Sequence, residues 1–167
     1  MGWAVMSNPD SPVLHASGVI QTPPMDKDNR SALWVELGVL LGSWLPTIGG
    51  GTANDLGRAV NLVAYERVHR HTGVHAAHLY GGQVALIQAT CHTLGVPWTP
   101  VQVGQVKRFL NCRAVGRGKE RAMVDAAHAL GYNTVTDHNE ADAVGIALAG
   151  LDAWKTGTNV FGNWKGS

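Results

Sequence analysis

The stretch Asp137-His138-Asn139-Glu140-Ala141-Asp142-Ala143-Val144-Gly145-Ile146-Ala147-Leu148-Ala149 decides how this chain is read. Its opening residues include three carboxylates, and the run from Ala143 to Ala149 carries no polar side chain. Such a run predicts a helix that starts in water and ends in the core. Asp137-x-x-Glu140 and Asn139-x-x-Asp142 both have the spacing of an N-terminal capping box, and acids near a helix start are favoured by its dipole. Residues three or four apart share a face, whereas residues two apart do not. Glu140 and Asp142 therefore point roughly 200° apart, at about 100° per residue. Asp142 shares its face with His138 and Asn139 upstream and with Gly145, Ile146 and Ala149 downstream. Gly145 and Ala149 are small and would let this face lie close to a sheet. Capping accounts for Glu140 better than for Asp142. An acid on a small apolar face needs a cation beside it, either a basic side chain or a metal.

Working outward, 167 residues suit one domain with a sizeable core. Hydrophobic residues make up 45% and charged residues 15%, a globular mix rather than a disordered one. No apolar run has the length of a membrane span, and no signal peptide opens the sequence, so a cytoplasmic protein is expected. Cys91 and Cys112 are then expected as reduced thiols. The net charge of +1 is uninformative, but its distribution is not. Six of the thirteen Lys and Arg lie between Lys107 and Arg121, against the single acid Glu120. A neutral protein with one basic segment suits a phosphate partner.

Upstream, Gly2 to Met6 reads as a strand, Asn8 to Pro12 as a turn and Val13 to Thr22 as a second strand, together a hairpin stopped by Pro23-Pro24. Leu33, Trp34, Leu37, Leu40, Leu41 and Trp44 recur at three and four and predict an amphipathic helix over 30–45, broken by Pro46 and Gly49-Gly50-Gly51. The triple glycine leads into Thr52-Ala53-Asn54-Asp55 and lacks the Gly-Lys-Ser/Thr of a P-loop, so it reads as a plain loop. Asn61 to Glu66 is a short apolar run ending in an acid, as expected of a buried strand whose carboxyl end faces a ligand site. A solvated acid paired with Arg67 or Arg70 is the plainer account of Glu66.

Four histidines follow, His69, His71, His75 and His78. Helix from Thr72 onward would put His71, His75 and His78 on one face, the donor set of a zinc site, although Gly73 interrupts the spacing. The plainer alternative is a polar loop and helix start that offers donors to a phosphate backbone. Tyr80 to Leu94 predicts a helix, Val96 to Val103 an edge or terminal strand with two prolines, and Val106 to Leu110 a short helix. Gly116-Arg117-Gly118-Lys119-Glu120-Arg121 is a basic glycine-rich loop able to approach a phosphate, or simply a solvated turn. Ala122 to Leu130 is the helix after it. The order of elements describes a mixed α/β sheet covered by helices.

Several segments, in order, carry a resemblance: Tyr65-Glu66-Arg67-Val68, His71-Thr72-Gly73, Ala76-Ala77-His78-Leu79-Tyr80-Gly81-Gly82, Val106-Lys107-Arg108, Gly116-Arg117-Gly118 and Asn139-Glu140-Ala141-Asp142-Ala143. The set resembles the RuvC-type Holliday-junction resolvases, especially the phage-type branch, over residues 2 to about 154. Gly2-Trp3-Ala4-Val5 resembles the second strand of that family. The resemblance implies a ribonuclease H-like fold and a magnesium-dependent nuclease, with manganese as a substitute ion. It implies a homodimer that cuts branched DNA and has no membrane association.

Family members hold metal with four acidic positions. Glu66 matches the one that ends the fourth strand, and Asp142 the last. The third falls on Asn139, an uncharged oxygen donor, with His138 or Glu140 as substitutes. The resemblance places Arg67, Arg70, His71 and His78 near the scissile phosphate and Lys107, Arg117, Lys119 and Arg121 on the DNA backbone. The family's opening strand, with an Asp before a Gly-rich turn, has no counterpart in the sequence. The expectation is an N-terminally truncated domain over 1–154 that lacks its first, central strand, followed by a flexible tail over 155–167. Two rival functions stand beside cleavage: an inactive remnant that grips branched DNA, and a zinc protein built on the histidine cluster.

Overall fold

A computed structural model describes residues 1–7, 10–19, 35, 37–39, 41–42, 60–71, 73–113 and 116–162. The labelled elements are β1 (Gly2–Ser7), β2 (Val13–Val19), β3 (Val63–Arg67), α1 (Val74–Leu94), β4 (Trp98–Gln102), α2 (Val103–Phe109), α3 (Lys119–Ala129) and α4 (His138–Thr156). They fall into two compact units. One holds residues 1–21, 64–67 and 100–159, and the other holds 22–63, 68–99 and 160–167. The expected Pro23-Pro24 stop, the Pro46 break and the loop from Gly49 to Asp55 lie outside the described residues.

In the first unit the expected hairpin is present. β1 and β2 pair antiparallel from Gly2↔Val19 to Ser7↔Val13, with an irregularity between Val5 and Met6. The Trp3 indole lies over Gly18, where a Cβ would come 2.9 Å from its ring. Strand pairing of this kind favours a large aromatic opposite a residue with no side chain to displace. The hairpin meets α4, which also packs on α2 and α3. Val101, Val106, Leu110, Val124, Val135 and Val144 make the centre of the buried cluster, and Ala4, Met6 and Leu14 of the hairpin pack against it.

β4 shows the period of two: Thr99 and Val101 are buried, while Trp98 and Pro100 are half-buried. The strand is shorter than the 96–103 expected, because the chain turns into α2 at Val103 rather than Val106. Gln102 starts that helix, its backbone N–H donating to Gln105 Oε1 at 2.9 Å in a capping box. α3 starts at Lys119, three residues earlier than expected. Gly116 and Gly118 have φ of 77° and 86°, which glycine alone adopts without strain, and the turn they make delivers Lys119 into the first helical turn. α4 continues to Thr156 and closes on Gly157 at φ 68°, so the first two residues of the expected tail are helical. Near that end Lys155 pairs with Asp10 of the hairpin turn.

In the second unit, the described residues of the segment expected as a helix over 30–45 are helical, with Leu37 and Leu41 buried four apart and Val35 and Val39 exposed. α1 begins at Val74, six residues before the expected Tyr80. Its buried residues, Ile87 and Cys91, again lie four apart. It ends at Gly95, φ 67°, where the Val96 N–H reaches the Cys91 carbonyl at 2.9 Å. Phe161 exchanges two backbone hydrogen bonds with Trp98. Cys91 and Cys112 are both buried free thiols, as expected, and burial pushes the Cys91 thiol up to about 11. Among the described residues the strands form two separate pairs, β1–β2 and β3–β4, with helices on them. No described helix is long and apolar enough to cross a membrane.

Candidate metal and nucleic-acid site

β3 reads Val63-Ala64-Tyr65-Glu66-Arg67, a half-buried apolar strand that reaches the surface at Arg67. Glu66 is therefore held inside the last turn of strand rather than in the loop after it. Half-burial raises its carboxyl above the ordinary carboxylate range, and the nearby charge of Asp142 raises it further. The sequence alone separates these two acids by 76 positions; the fold brings them within electrostatic reach.

The start of α4 sorts the other acids. Asp137 is the N-cap, and its Oδ1 accepts from the Asn139 backbone N–H at 2.7 Å. That hydrogen bond is the main reason its carboxyl sits low. Glu140 completes the capping box. Its Oε2 accepts from the backbone N–H of Thr136 at 3.0 Å, from the Thr136 hydroxyl at 3.3 Å and from the Asp137 backbone N–H at 3.3 Å. Glu140 is 8% exposed, and one of its carboxylate oxygens is taken up by these capping donors. The second capping box expected, Asn139 with Asp142, is not formed. Asn139 lies inside the first turn, with its Nδ2 donating to Asp137 Oδ1 at 2.9 Å. Just upstream, His128 Nε2 meets the Val135 carbonyl at 2.6 Å and ties α3 to the segment that leads into this cap.

Asp142 comes two residues later, on the opposite side of the helix from Glu140. Burial raises its carboxyl, while His138, Lys119 and Lys107 pull it back down, in that order. The helix packs on β1 and β2 as expected, but the nearest neighbours of Gly145, one turn on, belong to a helix. Gly145 faces α2: a Cβ there would lie 2.7 Å from Val106 Cγ1 and 3.0 Å from Leu110 Cδ1. This close helix contact is what carries Lys107, next to Val106, toward Asp142. Gly2 approaches the same helix start so closely that a Cβ would fall 1.9 Å from the Asn139 carbonyl oxygen.

Of the expected site residues, Glu66 feels the charge of Asp142, and Asp142 feels the charges of Lys119 and Lys107 together with that of His138. Arg117 lies exposed in the turn before Lys119, and Arg67 is exposed at the end of β3. Arg121 is held along its own helix by Asp125, 2.9 Å away and largely exposed. Arg70, His71 and His78 belong to the second unit. There His71 lies against Tyr80, ring centroids 4.8 Å apart, and the Tyr80 hydroxyl oxygen accepts from the Val68 N–H at 3.1 Å. Sequence reading overlooked Tyr80, because a tyrosine at a helix start gives no signal of what its hydroxyl reaches.

Comparison with solved structures bears on the fold. The chain matches T. thermophilus RuvC in complex with Holliday junction substrate with a TM-score of 0.65 and 17% identity, over 95% of this chain and 89% of that one. A Thermus thermophilus RuvC structure matches with a TM-score of 0.62 and 18% identity, over 96% and 92%. The fold is RuvC-like. It is the ribonuclease H-like mixed α/β class expected from the sequence, with small sheets flanked by helices. No protein-family model matches the chain, and no curated protein matches its sequence.

The donor set suits a hard divalent cation. Both carboxyls are half-buried and raised, the charge of Asp142 raises Glu66 further, and carboxylate oxygens are the ligand type such a cation prefers. Among the described residues no three His, Cys, Asp or Glu side chains gather as a metal-holding group, and His69, His71, His75 and His78 are all described.

Proposed function

We propose that this chain is a divalent-metal-dependent endonuclease acting on branched DNA, Holliday junctions among them. The carrying observation is the half-buried pair Glu66 and Asp142, each with its carboxyl raised, set beside Lys107 and Lys119. The RuvC-like fold supports it, as does a neighbour whose structure was solved with a Holliday junction.

Glu66 and Asp142 would hold magnesium or manganese, with the Asn139 side-chain oxygen as a neutral third donor. The chemistry a bound ion supplies is activation of a water for in-line attack and stabilisation of the leaving oxygen. The chain's own residues do the rest. Burial of Glu66 and Asp142 makes them strong ligands, because a cation relieves the cost of their charge. Lys107 and Lys119 hold phosphate oxygens next to the carboxylates, and Arg117, Arg67 and Arg121 extend the backbone contacts. Within the second unit, Arg70, His71 and His78 offer donors of their own to DNA. A homodimer would present two such sites to a junction with two strands to cut.

The test is cleavage of a four-way junction in magnesium, beside gel-shift binding without it. Glu66→Gln and Asp142→Asn abolish cutting and leave junction binding intact. Wild-type-like cutting by either variant refutes the assignment. Tight binding with no cutting by the parent chain under either ion would reduce it to a DNA-binding protein.

A further inference from the structure

The segment that leaves β3 carries Arg70 and His71, both assigned above to DNA, yet Val68 to His71 has no regular secondary structure of its own. A loop that must present cations to a phosphate needs an external hold, or ordering it opposes binding. Tyr80 supplies two. Its hydroxyl oxygen accepts the Val68 N–H at 3.1 Å, fixing the start of the loop. Its ring lies 4.8 Å from the His71 ring at 41°, fixing the end. Tyr80 sits two turns into α1, whose helical hydrogen bonds make it a rigid base. His69 and Arg70, between the two holds, are exposed. The loop is thus pinned at both ends with its polar residues outward.

We propose that Tyr80 is a positioning residue, which preorganises the Val68–His71 loop for a DNA phosphate. The inference rests on the reading of the chain as a branched-DNA protein. Tyr80 touches no phosphate itself. It acts through Arg70 and His71.

Tyr80→Phe removes the hydroxyl and keeps the ring on His71. Three readouts separate positioning from contact and from plain stability. Amide exchange at Val68 speeds up about tenfold, the change expected for losing one ordinary hydrogen bond. The Kd for a four-way junction rises about two- to tenfold, the cost of ordering a few loop side chains on binding. The dependence of log Kd on log salt keeps its slope, since no phosphate contact is lost, whereas Arg70→Gln lowers that slope by about one contact. A junction Kd for Tyr80→Phe equal to that of the parent overturns the inference. So does a reduced salt slope, which would make Tyr80 a contact residue. If the parent chain does not bind the junction, the functional reading fails, and the assignment of this loop to DNA fails with it.

Discussion

Gly145→Ala tests how the candidate site is assembled. One methyl group is added on the buried face of α4, where its carbon lies 2.7 Å from Val106 Cγ1 and 3.0 Å from two Leu110 carbons. Val106 is 3% and Leu110 1% exposed, so neither has free space to enter. Val106 is also β-branched on a helix, with one strongly preferred rotamer. Overpacking of this kind costs about 1–3 kcal/mol, and the stiffness of Val106 argues for the upper half. Replacing a mid-helix glycine by alanine returns about 1 kcal/mol of propensity. The net loss is about 1–2 kcal/mol, or about 2–8 °C in Tm for a chain of this size.

The decisive experiment is a double-mutant cycle with Val106→Ala, followed by urea or thermal unfolding. Without the Val106 methyl groups the closest contact, at 2.7 Å, disappears, and Leu110 gains room to shift away from the added carbon. Gly145→Ala then becomes neutral or stabilising in the Val106→Ala background. If it costs the same in both backgrounds, the α2–α4 approach is not what Gly145 serves. The account of how Lys107 reaches Asp142 then fails too.

Other outcomes follow from the same geometry. Because Glu66 and Asp142 have raised carboxyls, their charged forms oppose folding, and that cost appears as pH rises through the raised folded values. Glu66→Gln should therefore raise the metal-free Tm at neutral pH. The gap to the parent should close as pH falls toward the ordinary value of 4.5; a constant gap down to that pH would contradict the burial argument. Magnesium or manganese should raise the Tm of the parent and not of the Glu66→Gln/Asp142→Asn double variant, read by the same melts. Glu140→Ala strands the Thr136 and Asp137 N–H groups and should cost about 1–3 kcal/mol, while calorimetry shows unchanged metal affinity in the folded protein. Neutralising Lys119 as Gln should weaken junction binding yet tighten the divalent ion by less than about fivefold, because one cation near Asp142 is gone.

What was legible in the sequence depended on whether the signal was local. The Asp137–Glu140 capping box could be read because both halves lie within one turn and use the residue types that cap helices. The hairpin could be read from strand composition and a turn cluster. The starts of α1 and α3 were misplaced because Gly73 and Gly118 occupy their caps and neither has a side chain to announce a helix. The first turn of α3 is charged and exposed, and that of α1 leaves Val74 and His75 exposed, so no apolar period marks either start. The face shared by Asp142 and Gly145 was visible from spacing, but its partner was not. A small residue records that something comes close; whether it is a sheet or α2 is settled by packing between distant segments. Tyr80 belongs to the same class, since its partners are nine and twelve positions away.

Glu140 and Asp142 show why the candidate site has to be argued from surroundings rather than from residue type. Both are acids in the first two turns of one helix, two positions apart. Glu140 is the more buried, and its oxygen takes donors from the backbone of Thr136 and Asp137, a fixed set that needs nothing further. Its charge serves the helix start and would be poorly used on a ligand. Asp142 has no such cap. It is raised by burial, and what offsets the rise is charge from His138 on its own helix, Lys119 on α3 and Lys107 on α2. Three separate elements thus converge on one carboxylate that still carries a net cost, and Glu66 adds a second charge of the same sign. A structural acid would be relieved of that cost by closer pairing. Under the proposed function, a site that accepts a divalent ion and a phosphate together would gain by leaving the carboxylates costly and the lysines nearby.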